Sequence, residues 1–153
     1  MVLIESAVFY FCFMKVKIPI QIVEIDEDNF HLMIISEFED GMKSNWIIDT
    51  GASKTVFDSA KSEYFTKKEG QEDILSAGIT EHPLKSGLAV LNPVLFRKYK
   101  IEKMKVALLD MAHINELYQK KVQLEISGLL GSDFLLKYKA EISYKKKLLI
   151  LKI

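Results

Sequence analysis

The chain has 153 residues, 49% of them hydrophobic, which is enough for one domain with a substantial core and too few for two ordinary domains. Its 21 basic and 21 acidic residues balance, so no net charge draws it to nucleic acid or to an anionic membrane surface. One cysteine, Cys12, and three scattered histidines, His31, His82 and His113, exclude a disulfide framework and predict neither a metal site nor redox chemistry.

Residues 1–13 form an apolar segment that fits a signal peptide poorly. The segment has no basic n-region, Glu5 interrupts it, and it falls well short of the roughly 20 residues that span a bilayer. We expect an N-terminal extension that serves as an added strand, a partner contact or a disordered segment, followed by one domain over 14–153. No membrane span is predicted, and the cytoplasm is the default location.

Short apolar runs separated by polar turns predict a mainly β domain. The predicted strands cover 16–23, 30–38, 44–48, 55–57, 84–91, 103–109 and 141–153. Hairpin turns are predicted at 39–41 and 144–147, which favours a meander topology. The polar stretch 59–73 is predicted to be an exposed loop or an irregular hairpin.

Two segments predict short helices. Residues 111–121 follow Asp110, a suitable N-cap, and place Ile114, Leu117 and Tyr118 on one face. We expect that face to pack in the core. Residues 132–138 form the second predicted helix.

One acidic residue interrupts an apolar run in the segment 46–57, which reads WIIDTGASKTVF. Asp49 either begins a turn and caps nearby amides, or is held at the edge of the core for chemistry. Two carboxylates that share a proton supply an acid and a base at the same pH. Because the chain has one Asp-Thr-Gly, such a pair requires two copies related by a twofold axis. Thr50 would then bond between the two loops, and Gly51 would let the backbone turn closely beneath the acids.

Two segments carry a family resemblance. The segment 46–57 resembles the active-site strand and loop of the retropepsin-like aspartic peptidases, and 128–135, GLLGSDFL, resembles their second landmark near the C-terminus. The landmarks occur in the family's order. The resemblance implies a closed, mostly antiparallel acid-protease fold that dimerises to build one active site for an extended peptide, without a cofactor.

The resemblance also implies roles for individual residues. Asp49 from each subunit would be the catalytic acid of an endopeptidase, within a loop of Thr50, Gly51, Ala52 and Ser53. Leu129, Leu130 and Gly131 would pack under that loop. The flap tip would lie at 76–80. The residues expected to line substrate pockets are Ala52, Ser53, Val56, Ala77, Gly78, Ile79 and Leu130.

Some features differ from the retroviral pattern or leave alternatives open. The long separation of Asp49 from Gly131 favours a cellular, bacterial-type branch, and Lys54 would favour acidic or disfavour basic substrate side chains. Asp133 is interpreted as a structural cap or a bond to the loop, and 148–153 as a candidate dimer strand. The rival functional interpretation is a non-catalytic peptide-binding or dimerisation module. A monomeric domain with an incidental Asp-Thr-Gly is a third.

Overall fold

The computed structural model describes residues 14–68, 74–76 and 84–153. The predicted extension 1–13 and four residues of the predicted flap tip, Ala77, Gly78, Ile79 and Thr80, lie outside this range.

The described elements are mostly short strands whose side chains alternate between core and solvent, as the sequence pattern predicts. The first eight strands are β1 (Lys15–Pro19), β2 (Gln21–Asp26), β3 (Asn29–Phe38), β4 (Lys43–Ile48), β5 (Val56–Asp58), β6 (Phe65–Lys67), β7 (Ile74–Ser76) and β8 (Leu84–Ser86). The remainder are β9 (Leu88–Leu91), β10 (Val94–Phe96), β11 (Tyr99–Ile101), β12 (Met104–Leu109), β13 (Gly128–Leu130), β14 (Glu141–Ser143) and β15 (Leu148–Lys152). The helices are α1 (Ala112–Val122) and α2 (Ser132–Lys137). The prediction of a mainly β domain with one or two short helices is confirmed.

Ten of the described strands form one curled sheet, ordered β11-β10-β3-β4-β13-β5-β12-β9-β6 with β2 also paired to β3. Most of its pairs are antiparallel, but β13 runs parallel to β4 and β12 runs parallel to β5. The predicted hairpins are present as β3–β4 and β14–β15. The predicted meander is wrong at the centre of the sheet, because β13 is inserted between β4 and β5.

Aromatic side chains fill the core beneath the central strands. Trp46, Phe57 and Phe96 are fully buried, with the Trp46 and Phe57 rings 5.5 Å apart. The Trp46 indole N–H donates to the hydroxyl of buried Ser36 at 2.8 Å, so its polar atom is satisfied inside the core. The chain that follows β4 therefore starts from a fixed scaffold.

The helices differ in detail from the prediction. α1 begins at Ala112, one residue later than predicted, and the Asp110 carboxylate accepts a hydrogen bond from the Ala112 N–H at 2.9 Å. Tyr118 is buried and Ile114 half-buried, but Leu117 is 45% exposed, so its assignment to the core is wrong. Neither α1 nor α2, the two described helices, is long and apolar enough to cross a bilayer.

The polar stretch 59–73 is not entirely exposed. It contains strand β6, which pairs with β9, and Phe65 on that strand is buried in the main core. A strand of three residues, one of them apolar, is too short for its periodicity to be recognised in a polar context.

Candidate active site

The parallel pairing of β4 with β13 fixes the position of the loop that carries Asp49. Ile48 lies opposite Leu130 in the register, and the Asp49 N–H donates to the Leu130 carbonyl at 3.0 Å. On its other side β13 pairs with β5, to which the loop returns. The two sequence landmarks are therefore adjacent strands, with the Asp49 loop at their end.

The Asp49 carboxylate is half-buried and held by one of its two oxygens. Oδ1 accepts hydrogen bonds from the backbone N–H groups of Gly51 at 3.0 Å and Ala52 at 3.2 Å. Oδ2 receives no hydrogen bond from any residue whose side chain is described. The carboxylate thus caps the amides of the turn, which is the first of the two interpretations of Asp49. Its second oxygen is still available for chemistry.

The same loop is joined to the start of α2. The Ser132 hydroxyl donates to the Thr50 carbonyl at 3.0 Å, and the Ser132 N–H donates to the Ala52 carbonyl at 2.8 Å. Thr50, Gly51 and Ser53 are exposed, whereas Ala52 is half-buried. The loop backbone is anchored while the Thr50 side chain faces outward, as a contact with a second copy requires.

Asp133 holds the far end of the loop. Its Oδ1 accepts hydrogen bonds from the Thr55 N–H at 2.8 Å, the Thr55 hydroxyl at 2.7 Å and the Phe134 N–H at 2.8 Å. The Thr55 hydroxyl in turn accepts from the Gly131 N–H at 3.1 Å. Since Thr55 is buried, its polar atoms depend on this network. In the structure Asp133 therefore bonds to the loop, and its exclusion as a second acid stays a prediction.

Replacing Asp133 with Ala is expected to lower the free energy of unfolding by about 2–4 kcal/mol, because it leaves the buried Thr55 N–H and hydroxyl without their charged acceptor. Asp133→Asn retains one acceptor oxygen and should lose less. Urea unfolding would measure both. Glu116→Ala, at an exposed position of α1, is the control and should change stability by less than about 0.5 kcal/mol. Equal stabilities of D133A and E116A would contradict the assigned role.

An apolar cleft of about 470 Å³ opens beside Asp49. Its lining residues are Phe30, His31, Leu32, Ile47, Ile48, Asp49, Thr50, Ile114, Leu117, Tyr118, Leu129, Ile142 and Tyr144. Ala52, Ser53, Val56 and Leu130, the predicted pocket residues whose side chains are described, do not line it. Leu130 is fully buried, which fits its predicted packing under the loop, and Leu129 lines the cleft. The reason is strand alternation, which turns consecutive side chains to opposite faces.

His31 lies on β3 and contacts Tyr118 on α1. Its Nδ1 forms a hydrogen bond with the Tyr118 hydroxyl across the cleft wall, and the two ring centroids lie 5.7 Å apart. Burial raises the pKa of Tyr118 to about 12. The two residues are 87 positions apart, so no local sequence pattern indicates the pair.

The high pKa of Tyr118 predicts a loss of stability at alkaline pH. An unfolded tyrosine ionises near pH 10, so the stabilisation from keeping Tyr118 neutral is present below about pH 10 and is lost as the pH rises towards about 12. Urea unfolding from about pH 9 to about pH 11.5 should show a shallower decline for Tyr118→Phe than for the wild type. Tyr144→Phe, at a position 70% exposed, should follow the wild type. Identical slopes for all three proteins would refute the prediction.

Within the part of the chain whose side chains are described, no three His, Cys, Asp or Glu residues are grouped as metal ligands would be.

Two solved structures illustrate what the chain is similar to. One is a retropepsin-like aspartic protease from Rickettsia conorii, with 23% identity, 92% of this chain and 91% of that chain covered, and a TM-score of 0.48. The other is the retroviral protease-like domain of Ddi1 from Leishmania major, with 12% identity, 80% and 93% covered, and a TM-score of 0.48. No family model matches the sequence, and no curated protein matches it significantly.

Proposed function

We propose that the chain is an aspartic endopeptidase that acts as a homodimer, in which each subunit supplies one Asp49. The observation that carries the proposal is the Asp49 carboxylate itself. One oxygen is held by two backbone N–H donors, the other is open, and the group lines an apolar cleft. Backbone donors fix the carboxylate without filling the space in front of it, which preorganisation for catalysis requires.

A second copy is needed because one carboxylate does not complete the chemistry. Two Asp49 groups close together share a proton, so that one is a base and the other an acid. The base takes a proton from a water that attacks the scissile carbonyl carbon, while the acid protonates the carbonyl oxygen. The resulting tetrahedral diol then collapses, and the C–N bond breaks as the nitrogen is protonated.

The substrate class follows from the cleft. Its apolar walls suit a large hydrophobic side chain next to the scissile bond, and the exposed Thr50 and Gly51 at its edge leave room for an extended peptide. Leu117 and Phe30, which are 45% and 53% exposed, would be covered by such a side chain.

The alternative is a peptide-binding or dimerisation module that uses the same cleft without turnover. The intact Asp-Thr-Gly loop and its open oxygen favour the enzyme.

The proposal is tested by incubating the protein with a quenched peptide library from about pH 4 to pH 7, the range in which a shared-proton pair would act. The oligomeric state is measured in the same buffers by analytical ultracentrifugation. Cleavage that Asp49→Asn abolishes supports the enzyme. A confirmed dimer that cleaves nothing favours the module, and a monomer at all concentrations overturns the shared site.

A further inference from the structure

A second cleft, of about 300 Å³, lies at the other end of the active-site loop. Its lining residues are Lys54, Thr55, Lys103, Met104, Lys105, Asp133, Phe134, Lys137 and Tyr138. Three parts of the fold form it: the loop that leaves Asp49, the start of β12 and the helix α2. The sequence predicts a substrate preference for Lys54 alone, and the proposed chemistry assigns no role to the cleft.

The cleft concentrates positive charge in a chain that has none overall. Lys54, Lys103, Lys105 and Lys137 line it, are exposed, and form no ion pair with any residue whose side chain is described. Other exposed lysines, such as Lys43 and Lys120, also lack an ion pair with a described residue. What distinguishes this site, the lysine cleft, is that four such lysines line one small space.

The one acid in the lysine cleft does not neutralise it. The Oδ1 of Asp133 already accepts three hydrogen bonds from Thr55 and Phe134. Four positive charges against this carboxylate leave a net charge of about +3, and like charges around a narrow space repel one another. A bound anion would remove that repulsion and gain charge-assisted hydrogen bonds.

The positions of the lysines match an extended acidic ligand. Lys103 immediately precedes β12 and Lys105 is its second residue, and both line the cleft. Lys137 ends α2, and Lys54 lies five positions after Asp49 on the same loop. Asp49 lines the apolar cleft and Lys54 the lysine cleft, so the two clefts lie along the same loop.

We propose that the lysine cleft binds the carboxylate side chains of an acidic peptide segment, which in a substrate would lie a few residues from the scissile bond. The claim that this acidic segment belongs to a substrate rests on the proposed function. A peptide is favoured over nucleic acid because the cleft is small, is floored by Met104 and Phe134, and belongs to a chain with equal numbers of basic and acidic residues. Nucleic-acid binding needs a broad basic face instead.

A direct binding measurement tests whether the lysine cleft binds an acidic peptide, and it needs no enzymatic activity. Fluorescent peptides of about six glutamates or six glutamines are titrated with the wild-type protein at about 0.05 M and about 0.3 M salt. We expect the glutamate peptide to bind about tenfold more tightly at low salt, and this difference to shrink at high salt. The triple variant K103Q/K105Q/K137Q should lose the difference. The control K43Q/K120Q/K145Q, with the same change in net charge at exposed positions outside the cleft, should keep it.

Two results would overturn the proposal. One is equal loss of binding in both triple variants, which would mean that only net charge matters. The other is tighter binding of a single-stranded oligonucleotide of the same charge that is lost in the cleft variant alone, since the ligand would then be nucleic acid.

Kinetic measurements on cleaved peptides distinguish the role of the lysine cleft from the proposed endopeptidase activity. Any peptide that the library shows to be cleaved is remade with Glu or Gln at each flanking position. A preference for Glu in kcat/KM that K103Q/K105Q/K137Q removes and the control variant retains supports the substrate role. If cleavage is the same with Glu and with Gln and the glutamate peptide does not bind, the role of the lysine cleft is refuted while the proposed endopeptidase activity stands. Glutamate-peptide binding without any cleavage supports the cleft and argues against the enzyme.

Discussion

Asp49→Asn is expected to lower kcat for peptide cleavage by about 10³-fold or more, because the amide neither accepts the proton of the attacking water nor returns it. The fold should survive, since the Asn side-chain oxygen can still accept from the Gly51 and Ala52 N–H groups. The measurement is kcat on a cleaved peptide, with the thermal midpoint recorded alongside. Asp110→Asn is the matched control and should cleave normally, because among the described residues the Asp110 carboxylate bonds only the Ala112 N–H.

Mixing the wild-type protein with Asp49→Asn tests whether the two subunits of a dimer share one site. If both Asp49 groups of a dimer are required, the activity falls with the square of the wild-type fraction, so an equal mixture at constant total protein should keep about a quarter of it. A monomeric site would keep about half. A dimer that needs only one Asp49 would keep about three quarters. Either of these higher values would contradict a shared dyad.

The sequence was sufficient to predict the Asp49 loop because that information is local. The apolar residues before Asp49, the Asp-Thr-Gly itself and the apolar return define a strand, a tight turn and a strand within a dozen positions. The same holds for the segment that contains Leu130 and Asp133. Alternation within strands likewise predicted a mainly β domain.

Features that depend on pairing between distant segments were not predictable in this way. The insertion of β13 between β4 and β5 decides which of Leu129 and Leu130 faces the cleft, and neither strand indicates it alone. The contact of His31 with Tyr118 likewise depends on how α1 packs against the sheet. The lysine cleft joins three segments whose lysines appear unrelated along the chain. Each is a property of tertiary packing and not of local periodicity.

Gly131→Ala is expected to destabilise the protein by about 3 kcal/mol, the upper part of the usual range for overpacking a core. An added Cβ would lie 2.5 Å from the Lys54 carbonyl carbon, 2.6 Å from its oxygen and 2.8 Å from the Thr55 nitrogen. These are backbone atoms, which cannot rotate away as a flexible side chain can. The backbone of Gly131 is extended, a conformation that any residue can adopt. Glycine is needed at this position because there is no room for a Cβ.

The same substitution at Gly87 provides the control for Gly131→Ala. Within the described part of the chain a Cβ there would meet only the Leu108 Cδ1, at 4.0 Å, so Gly87→Ala should change the free energy of unfolding by less than about 0.5 kcal/mol. Urea unfolding with an unchanged m-value would measure both. Because the clash moves Lys54 and Thr55, it also breaks the bonds to Asp133 and shifts the loop that holds Asp49. G131A should therefore lose cleavage under conditions where it is still folded, and normal stability and cleavage would show that β13 does not support the loop as described.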